Sequence, residues 1–350
     1  MSPSEPILIW GAGAIGGTLG AYWARAGVPV LLVDVVAEHA QACRTTGLEI
    51  SGPVETFKVA IPAVEPHDVT GTYRRIVLAV KAPATEAALE QLAPHLASDG
   101  FVLSAQNGLN EIAIAEKVGA ERTMGCFVNF GADWHGPGHI LYGNRGAVVV
   151  GEIDGTIRPR TRDMHALLAM FEPDAVLTDN IWGYLWGKLA YGAMLFATAL
   201  TDDSMSENFA DQLRFVVFDR LGREVYAVAS ARGVKPVGFK EFDPLAFAPD
   251  AGELKSQAVI NSLADYTSQS AKTHSGIWRD LAVRKRKTEI DPQIGIIGTL
   301  GRAVGVATPA IDKLTTLIHD VEDGRRPMSF ATFQELIDTC TSATTAASRS

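Results

Sequence analysis

The chain has few cysteines, and their placement argues against two kinds of site. Its 350 residues contain three cysteines, Cys43, Cys126 and Cys340, with no Cys-x-x-Cys spacing. Three dispersed cysteines cannot all pair, and they match neither a disulfide framework nor the ligand spacing of a zinc site. We therefore expect reduced thiols and predict no metal ion.

Positive charge is also in short supply. Lys and Arg together number 31 against 40 Asp and Glu, so the formal net charge is −9. An acidic chain has no general attraction to nucleic acid or to anionic lipid. The N-terminus lacks the positive segment of a signal peptide, and Lys188 interrupts the best apolar stretch before it reaches the span of a bilayer. The sequence predicts a cytoplasmic protein that binds neither nucleic acid nor membranes.

The composition carries no signature of disorder. Hydrophobic residues make up 47% of the chain and charged residues only 20%. This balance is typical of a compact enzyme rather than of a disordered or fibrous chain. Because domains average roughly 150 residues, a chain of this length predicts two of them, or one unusually large one.

The first half alternates short apolar runs with helical segments. Predicted strands cover residues 7–10, 30–33, 76–80 and 101–104, and predicted helices cover residues 18–26, 37–46 and 85–96. Strands that alternate with helices favour an α/β fold with a Rossmann-type doubly wound sheet, which binds ligands at the carboxyl ends of its strands.

The second half changes to long helical patterns. They cover residues 182–200, 208–231, 254–271 and 294–304. Since few strand signals remain, we predict a domain boundary near residue 180. The prediction is an α/β domain over residues 1–180, a helical domain over 181–335, and a flexible tail over 336–350.

A glycine-rich loop follows the first predicted strand and opens the first helix. Gly11 permits the tight turn, Gly13 lets the backbone approach a pyrophosphate, and Gly16 lets helix and strand pack closely. The helix N-terminus offers free N–H groups to the phosphates. The loop therefore predicts a dinucleotide site formed by Gly11, Ala12, Gly13, Ala14, Ile15 and Gly16.

Asp34 ends the second predicted strand and bears on which dinucleotide binds. A carboxylate there accepts hydrogen bonds from the adenosine ribose hydroxyls and repels a 2′-phosphate. The next residues, Val35 to Ala37, supply no cation to hold that phosphate. NAD(H) is favoured over NADP(H), which stays possible. In the alternative interpretation, Asp34 only caps the second helix or lies in solvent.

Four further segments accompany the glycine loop in order along the chain. They are Val80-Lys81, Gln106-Asn107-Gly108, Trp186-Gly187-Lys188-Leu189 and Thr288-Glu289-Ile290-Asp291. With them the chain resembles the ketopantoate reductase (2-dehydropantoate 2-reductase) family over about residues 7–325. The resemblance implies that residues 1–180 form a Rossmann dinucleotide-binding domain. It implies that residues 181–335 form an all-α substrate and dimerisation domain like the C-terminal domain of 6-phosphogluconate dehydrogenase. It also implies hydride transfer between NAD(P)H and a 2-oxo acid.

The same resemblance implies roles for four residues. Lys188 matches the catalytic lysine, which bonds the substrate carbonyl and supplies the proton. Glu289 matches the acidic partner in the active site, Asn107 the asparagine between nicotinamide and substrate, and Lys81 a lysine near the cofactor. The chemistry is sound in itself, because an ammonium aimed at a carbonyl that receives hydride stabilises the developing alkoxide and can protonate it.

Each of these residues has a purely structural alternative. Lys188 could extend from an apolar helix to water, Glu289 could belong to a helix start, and Asn107 could form a turn with Gly108. The basic run at residues 284–287 is more typical of a solvated helix face than of a nucleic-acid site.

The chain departs from the family pattern on the helix of Lys188. Asparagines usually recur four and eight residues after the catalytic lysine, but Gly192 and Phe196 stand there. This makes that wall more apolar, so the substrate's hydrogen bonding must differ. Ser275 aligns with the serine that holds the substrate carboxylate only after a shift of one residue. Other candidates for that role are Lys272, His274 and Arg279.

Three functions remain in competition. The leading hypothesis is a nicotinamide-dependent oxidoreductase that interconverts a 2-oxo acid, similar to 2-dehydropantoate, and its hydroxy form. The second is an NAD-dependent dehydrogenase of a bulkier, more apolar hydroxy compound. The third is a dinucleotide-binding sensor without turnover, against which the presence of both Lys188 and Glu289 argues. By analogy with related helical domains, we expect a homodimer.

Overall fold

The computed structural model describes residues 5–270 and 272–347, and it separates into two compact units after Ile181. The strands are β1 Ile7–Trp10, β2 Val30–Val33, β3 Leu48–Ser51, β4 Phe57–Val59, β5 Ala63–Val64, β6 Tyr73–Leu78, β7 Leu96–Ser104, β8 Thr123–Val128, β9 Gly131–Gly136, β10 His139–Asn144, β11 Val148–Glu152 and β12 Val176–Leu177. All of them lie in the N-terminal unit.

Five helices belong to the N-terminal unit: α1 Ala14–Arg25, α2 Ala37–Thr45, α3 Thr85–Leu92, α4 Glu111–Val118 and α5 Pro159–Phe171. The C-terminal unit is helical and contains α6 Ile181–Thr198, α7 Met205–Ala210, α8 Phe215–Ala231, α9 Glu253–Ser268, α10 Gly276–Trp278, α11 Ile296–Ala303, α12 Pro309–Glu322 and α13 Phe330–Ala347. Within the described residues, no helix is both long and apolar enough to cross a membrane.

An eight-stranded sheet forms the centre of the N-terminal unit, in the order β12-β11-β8-β7-β6-β1-β2-β5. Its strands are parallel except where β11 runs antiparallel to β8. Along β1, Ile7 and Ile9 enter one apolar cluster, whereas Leu8 and Trp10 enter the other on the opposite face. Both faces are covered, which is why this strand is apolar throughout. The predicted Rossmann-type sheet and helical C-terminal half are confirmed, with the antiparallel β11 as an addition.

A second, four-stranded sheet in the order β4-β3-β10-β9 was not predicted. It joins β3 to β10 in parallel, with Glu49 opposite His139 and Ile50 opposite Ile140. It packs on α1, where a Cβ added at Gly17 would approach Ile140 Cδ1 to 2.5 Å. The predicted strands therefore account for only part of the β-structure.

The long helix predicted over residues 208–231 is wrong, because two helices occupy that range. The chain leaves the helical path after α7 and resumes in α8. Between them, Arg214 is buried and forms ion pairs with Asp203 at 2.6 Å and Asp211 at 3.1 Å. A buried guanidinium requires such partners, and the break in the helix supplies them.

The flexible tail predicted over residues 336–350 begins inside a helix, and its flexibility stays a prediction. The helix α13 continues to Ala347, whereas residues 348–350 lie outside the described residues. Phe333, Leu336 and Cys340 are buried and recur at the spacing of one helix face. An apolar stripe hidden among Ser, Thr and Ala residues therefore attaches this helix to its unit.

Candidate active site

The glycine loop between β1 and α1 has the geometry that each glycine was expected to provide. Gly11 has φ of 99°, and a Cβ there would lie 2.7 Å from the Val80 nitrogen. A Cβ at Gly16 would overlap the Gly11 carbonyl oxygen and lie 2.9 Å from Ala79 Cβ. At Gly13, by contrast, no atom of the described residues lies within 4 Å of such a Cβ. The first and third glycines are required for packing, and the second borders open space.

The N-terminus of α1 has the donors that an anion needs. Gly13 precedes the helix, and no side chain of the described residues caps it. The first N–H groups of a helix have no acceptor within the helix, so they favour a negatively charged ligand. The loop residues from Gly11 to Gly16, with Ala12, Ala14 and Ile15 between the glycines, therefore fit the pyrophosphate of a dinucleotide.

Asp34 follows β2 directly and is bound to the glycine loop. Its Oδ2 accepts a hydrogen bond from Ala12 N–H at 2.9 Å, and its Oδ1 accepts one from Val36 N–H at 3.0 Å. The helix α2 receives no side-chain cap from it among the described contacts. The alternative in which Asp34 only caps the second helix or lies in solvent is therefore wrong. Asp34 is half-buried, and a carboxylate oxygen can accept more than one bond.

Sequence reasoning missed His39, a buried residue of α2 that contacts the same loop. Its Nε2 lies 2.8 Å from the Ala12 carbonyl oxygen. Its Nδ1 lies 2.9 Å from the Gly138 nitrogen and 3.3 Å from Trp134 Nε1. A polar residue on the buried side of a short helix was the available signal, but the sequence does not show what faces it.

A polar network supports the carboxyl ends of β6 and β7. Gln106 Nε2 donates to the Val80 carbonyl at 2.9 Å and to Thr85 Oγ1 at 2.8 Å. Thr85 Oγ1 donates to Asn110 Oδ1 at 3.0 Å, and Asn110 Nδ2 donates to the Asn107 carbonyl at 2.7 Å. Two neighbouring strand ends are thereby fixed to each other through side chains.

The predicted residues Lys81 and Asn107 lie at these strand ends, and both are exposed. Lys81 comes three residues after β6 and precedes a short helical turn at residues 82–84. Asn107 follows β7, and Gly108 next to it has φ of 99°. The turn predicted as the alternative for Asn107 is therefore present, and it leaves the asparagine exposed where ligands of parallel sheets bind.

Lys188 lies in the first half of α6 and is half-buried. The preceding Gly187 is needed for packing, because a Cβ there would overlap the Val237 carbonyl oxygen. Val237 N–H also donates to the Gly183 carbonyl at 2.9 Å. The Trp-Gly-Lys-Leu segment thus places its lysine on a helix that a neighbouring loop fixes.

Glu289 is half-buried and lies in a segment fixed on both sides by α12. Glu322 Oε1 accepts from Thr288 N–H at 2.7 Å and from Thr288 Oγ1 at 2.6 Å. His319 lies 3.1 Å from Glu322 Oε2 and 2.9 Å from Asp291 Oδ1. A π-helical segment, Asp291–Gly295, follows directly. Glu289 does precede a helical segment, as its structural alternative expected. That alternative does not account for the hydrogen bonds that join Thr288 and Asp291 to α12.

The structure brings the segment after Glu289 against the helix of Lys188. A Cβ added at Gly192 would lie 4.0 Å from Ile294 Cδ1. No other atom of the described residues outside its own helix would lie as close. Phe196, one turn further along, is 1% exposed and lies in the core of its unit. Gly192 therefore leaves space one turn from Lys188, while contact between Phe196 and a substrate stays a prediction.

The candidates for holding a carboxylate lie around α10. Ser275 is buried, and its Oγ accepts a hydrogen bond from Trp278 N–H at 3.1 Å. His274 stacks on Trp278 with ring centroids 4.1 Å apart, and its Nε2 lies 3.0 Å from the Asp202 carbonyl oxygen. Lys272 is exposed and Arg279 is half-buried. Ser275 caps a helix here, and its role toward a substrate stays a prediction.

The basic run at residues 284–287 is exposed but is not a helix face. Lys285 has φ of 49°, so the backbone leaves the preceding π-helical segment, Arg279–Val283. Arg284 and Arg286 each lie 2.9 Å from Asp280. The predicted helical face is wrong because the chain turns there, and acidic neighbours reduce the positive charge of the run.

Two family models together match most of the chain. The model described as "Ketopantoate reductase PanE/ApbA" matches residues 7–155, and "Ketopantoate reductase PanE/ApbA C terminal" matches residues 180–322. The chain belongs to the ketopantoate reductase family. The predicted resemblance is confirmed, and with it the assignment as an NAD(P)-dependent oxidoreductase that reduces a 2-oxo acid.

Similar proteins match nearly the whole chain. The 2-dehydropantoate 2-reductase of Mesorhizobium japonicum is 27% identical over 339 residues, covering 89% of this chain and 96% of the relative. A ketopantoate reductase structure from Ralstonia eutropha is 27% identical with a TM-score of 0.74, covering 91% and 99%. D-mandelate dehydrogenase, solved with NADH and anilino(oxo)acetate, is 25% identical with a TM-score of 0.78, covering 91% and 98%.

Proposed function

We propose that the protein uses NADH to reduce a 2-oxo acid and that Lys188 donates the proton. The observation that carries the cofactor preference is the placement of Asp34, whose carboxylate binds the Ala12 N–H of the glycine loop while staying half-exposed. A negative charge at that position favours ribose hydroxyls over a 2′-phosphate. Arg44, a cation on α2, donates a hydrogen bond to the Ala63 carbonyl at 3.2 Å.

Each unit contributes its own part of the proposed reaction. The N-terminal unit holds the dinucleotide through its glycine loop and Asp34, and Lys81 and Asn107 stand at the strand ends beside it. The helical unit, from residue 182 onward, contributes Lys188 and Glu289 and binds the substrate. When bound, the nicotinamide ring supplies the hydride. The protein's own side chains orient the 2-oxo acid and stabilise the negative charge that develops on its carbonyl oxygen.

The proton step uses Lys188. The ammonium hydrogen-bonds the carbonyl oxygen of the substrate and polarises it. As hydride forms the new C–H bond, the π electron pair moves to oxygen, which takes a proton from Lys188 Nζ. The neutral amine then regains a proton from water. Glu289 positions the substrate, and Asn107 orients the carbonyl group.

A second candidate is the same chemistry on a bulkier, more apolar 2-oxo acid or its hydroxy form. The observation that favours it is the space at Gly192, one helical turn from Lys188, where the family usually has an amide. One of the structural relatives is a D-mandelate dehydrogenase, and mandelate carries an aromatic ring. A glycine at this position gives such a substituent room and removes a polar partner that a smaller substrate would use.

The proposed assembly and location follow the family. We propose a cytoplasmic homodimer whose helical unit carries the dimer contacts. Light scattering coupled to size-exclusion chromatography checks the assembly, because a monomer of 37.4 kDa and a dimer of twice that mass separate clearly.

The reaction is tested by following NADH and NADPH absorbance with a panel of 2-oxo acids. The panel includes 2-dehydropantoate and aryl-substituted acids, and the hydroxy acids are used with NAD⁺ for reverse turnover. We expect turnover with NADH and a higher kcat/KM for the aryl compounds if the Gly192 space binds the substituent. Tight cofactor binding without turnover of any carbonyl compound would instead support the sensor.

A further inference from the structure

His39 joins three parts of the N-terminal unit that are distant in sequence. The residue lies on α2 and is 1% exposed. It contacts the glycine loop at Ala12 and the β9–β10 hairpin at Gly138 and Trp134. The reaction proposed above assigns nothing to this histidine.

The contacts determine which ring nitrogen carries the hydrogen. Gly138 N–H and the Trp134 indole N–H can only donate, so His39 Nδ1 must accept. The ring is then neutral with its hydrogen on Nε2, and it donates to the Ala12 carbonyl at 2.8 Å. His39 therefore passes a chain of hydrogen bonds from the hairpin to the glycine loop.

Both backbone polar groups of Ala12 are held as a result. Its N–H donates to Asp34 Oδ2, and its carbonyl accepts from His39. In a planar trans peptide the carbonyl and the next N–H point in opposite directions. Holding the Ala12 carbonyl toward His39 turns the Gly13 N–H away from His39. That N–H is one of the donors at the start of α1 that suit a pyrophosphate.

We propose that His39 is a positioning residue that fixes the glycine loop in its dinucleotide-binding conformation and couples that loop to the β9–β10 hairpin. The inference rests on the proposed cofactor site and is independent of the substrate. Burial increases the effect of His39 on the loop, because water cannot replace the donor if the ring is removed and the Ala12 carbonyl is left without a partner. Gly17 allows strand β10 of the hairpin to pack closely on α1, and this contact holds the hairpin in place.

Two substitutions separate the contacts of Nδ1 from the contact of Nε2. In His39→Asn the amide oxygen can take the place of Nδ1, but the side chain is too short to donate to Ala12. In His39→Gln the amide nitrogen can take the place of Nε2 and restore that donor. The matched control is His165→Asn on α5 of the same unit, which removes a 2.8 Å hydrogen bond from the ring to the Ala175 carbonyl and touches neither the glycine loop nor the hairpin.

Isothermal titration with NADH gives the deciding measurement. We expect His39→Asn to raise the Kd for NADH about three- to tenfold, as loss of one buried hydrogen bond implies. The Kd of His39→Gln for NADH should lie within about twofold of the wild-type value. A twofold change in Kd corresponds to less than about half a kcal/mol. The His165→Asn variant should bind as wild type does. At saturating NADH, kcat and the KM for the 2-oxo acid should not change in any variant.

Three results would overturn the inference. One is an unchanged Kd in a folded His39→Asn variant, and another is an equal loss of affinity in His165→Asn, which would indicate general destabilisation. If His39→Asn does not fold, ¹⁵N spectra of the wild-type histidine rings test the inference instead. A His39 ring with its hydrogen on Nδ1, or a charged ring at pH 7.5, would be the third contradicting result. Failure of the proposed reaction looks different: wild type would bind NADH but turn over no 2-oxo acid.

Discussion

At the scale of single residues, Lys188 is the group on which the proposed chemistry depends. We expect Lys188→Ala to lower kcat/KM by about two to four orders of magnitude, because a positioned general acid is lost. Affinity for NADH, measured by titration, should stay close to that of wild type. Lys313→Ala is the control, since Lys313 pairs with Glu335 at 2.8 Å on the surface of the same unit. A Lys188→Ala variant with more than half the wild-type rate would contradict the mechanism.

Asp34 gives the second prediction at this scale. Asp34→Ala should weaken NADH binding through the lost ribose hydrogen bonds and strengthen NADPH binding through relief of repulsion, so the two Kd values move in opposite directions. Adding Val35→Arg should shift the preference further toward NADPH, because arginine offers the phosphate two parallel bonds. Fluorescence titration with both cofactors measures this. A wild-type preference for NADPH would mean that a cation from elsewhere reaches the site.

Sequence alone identified the residues whose role is local. Gly11 and Gly16 were predicted correctly because a strand, a turn and a helix in succession determine their surroundings. His39 was not predicted, since its partners Gly138 and Trp134 are about a hundred positions away and nothing in the sequence pairs them with α2. Gly192 was recognised as a departure from the family pattern, but only the structure shows that space lies beside it.

At the scale of elements, α12 holds the segment that carries Glu289. Burial opposes the charge on His319, but hydrogen bonds to Asp291 and Glu322 outweigh it and raise the pKa of His319 above its usual value. A raised pKa means that the folded state favours the protonated ring. The resulting stabilisation is complete below the usual pKa of about 6.5 and is lost as pH rises through the raised value.

We therefore expect the free energy of unfolding of wild type and His319→Gln to differ most below the usual pKa of about 6.5 and to converge as pH rises through the raised pKa. The difference should be about 1 kcal/mol or less, because the His319 side chain is 33% exposed and water screens it. Urea titrations at several pH values measure it, and kcat/KM should follow the same trend if Glu289 depends on this contact. A difference that grows with pH would contradict the assignment.

The elements that sequence failed to predict have non-local causes. The four-stranded sheet was missed because β3 pairs with β10, a strand far away in the sequence, and no local pattern shows that pairing. The break between α7 and α8 was missed because its cause is the burial of Arg214 beside two aspartates, which helical periodicity does not report. Strands β1 and β2, in contrast, were found at their observed bounds because an apolar run bounded by polar or glycine residues suffices.

At the scale of the whole molecule, the three thiols report on folding. All three cysteines are buried, and burial raises the pKa of Cys43 and of Cys340 to about 12. Because the thiolate is the reactive form, we expect no reaction with a disulfide reagent at pH 8 in the native protein and three equivalents after unfolding. Rapid reaction of one thiol without denaturant would contradict its burial.

The same thiols distinguish the two units, since Cys43 and Cys126 belong to the first and Cys340 to the second. In a urea series, we expect Cys340 to react at a different midpoint from the other two, because domains generally fold as units. A Cys340→Ala variant identifies its contribution. One common midpoint for all three cysteines would show that the whole chain unfolds in a single step.

The pairing of β3 with β10 also sets an order of events during synthesis. The segment after β2 leaves the ribosome well before His139 and Ile140 exist, so β3 has its β10 partner only once residue 144 has emerged. Chains fold from the N-terminus as they grow, and distant contacts close late. The nascent glycine loop is therefore made long before the hairpin that holds its Ala12 carbonyl through His39. A ribosome-bound chain stalled before residue 131 should bind dinucleotide more weakly than one stalled beyond the end of the first unit.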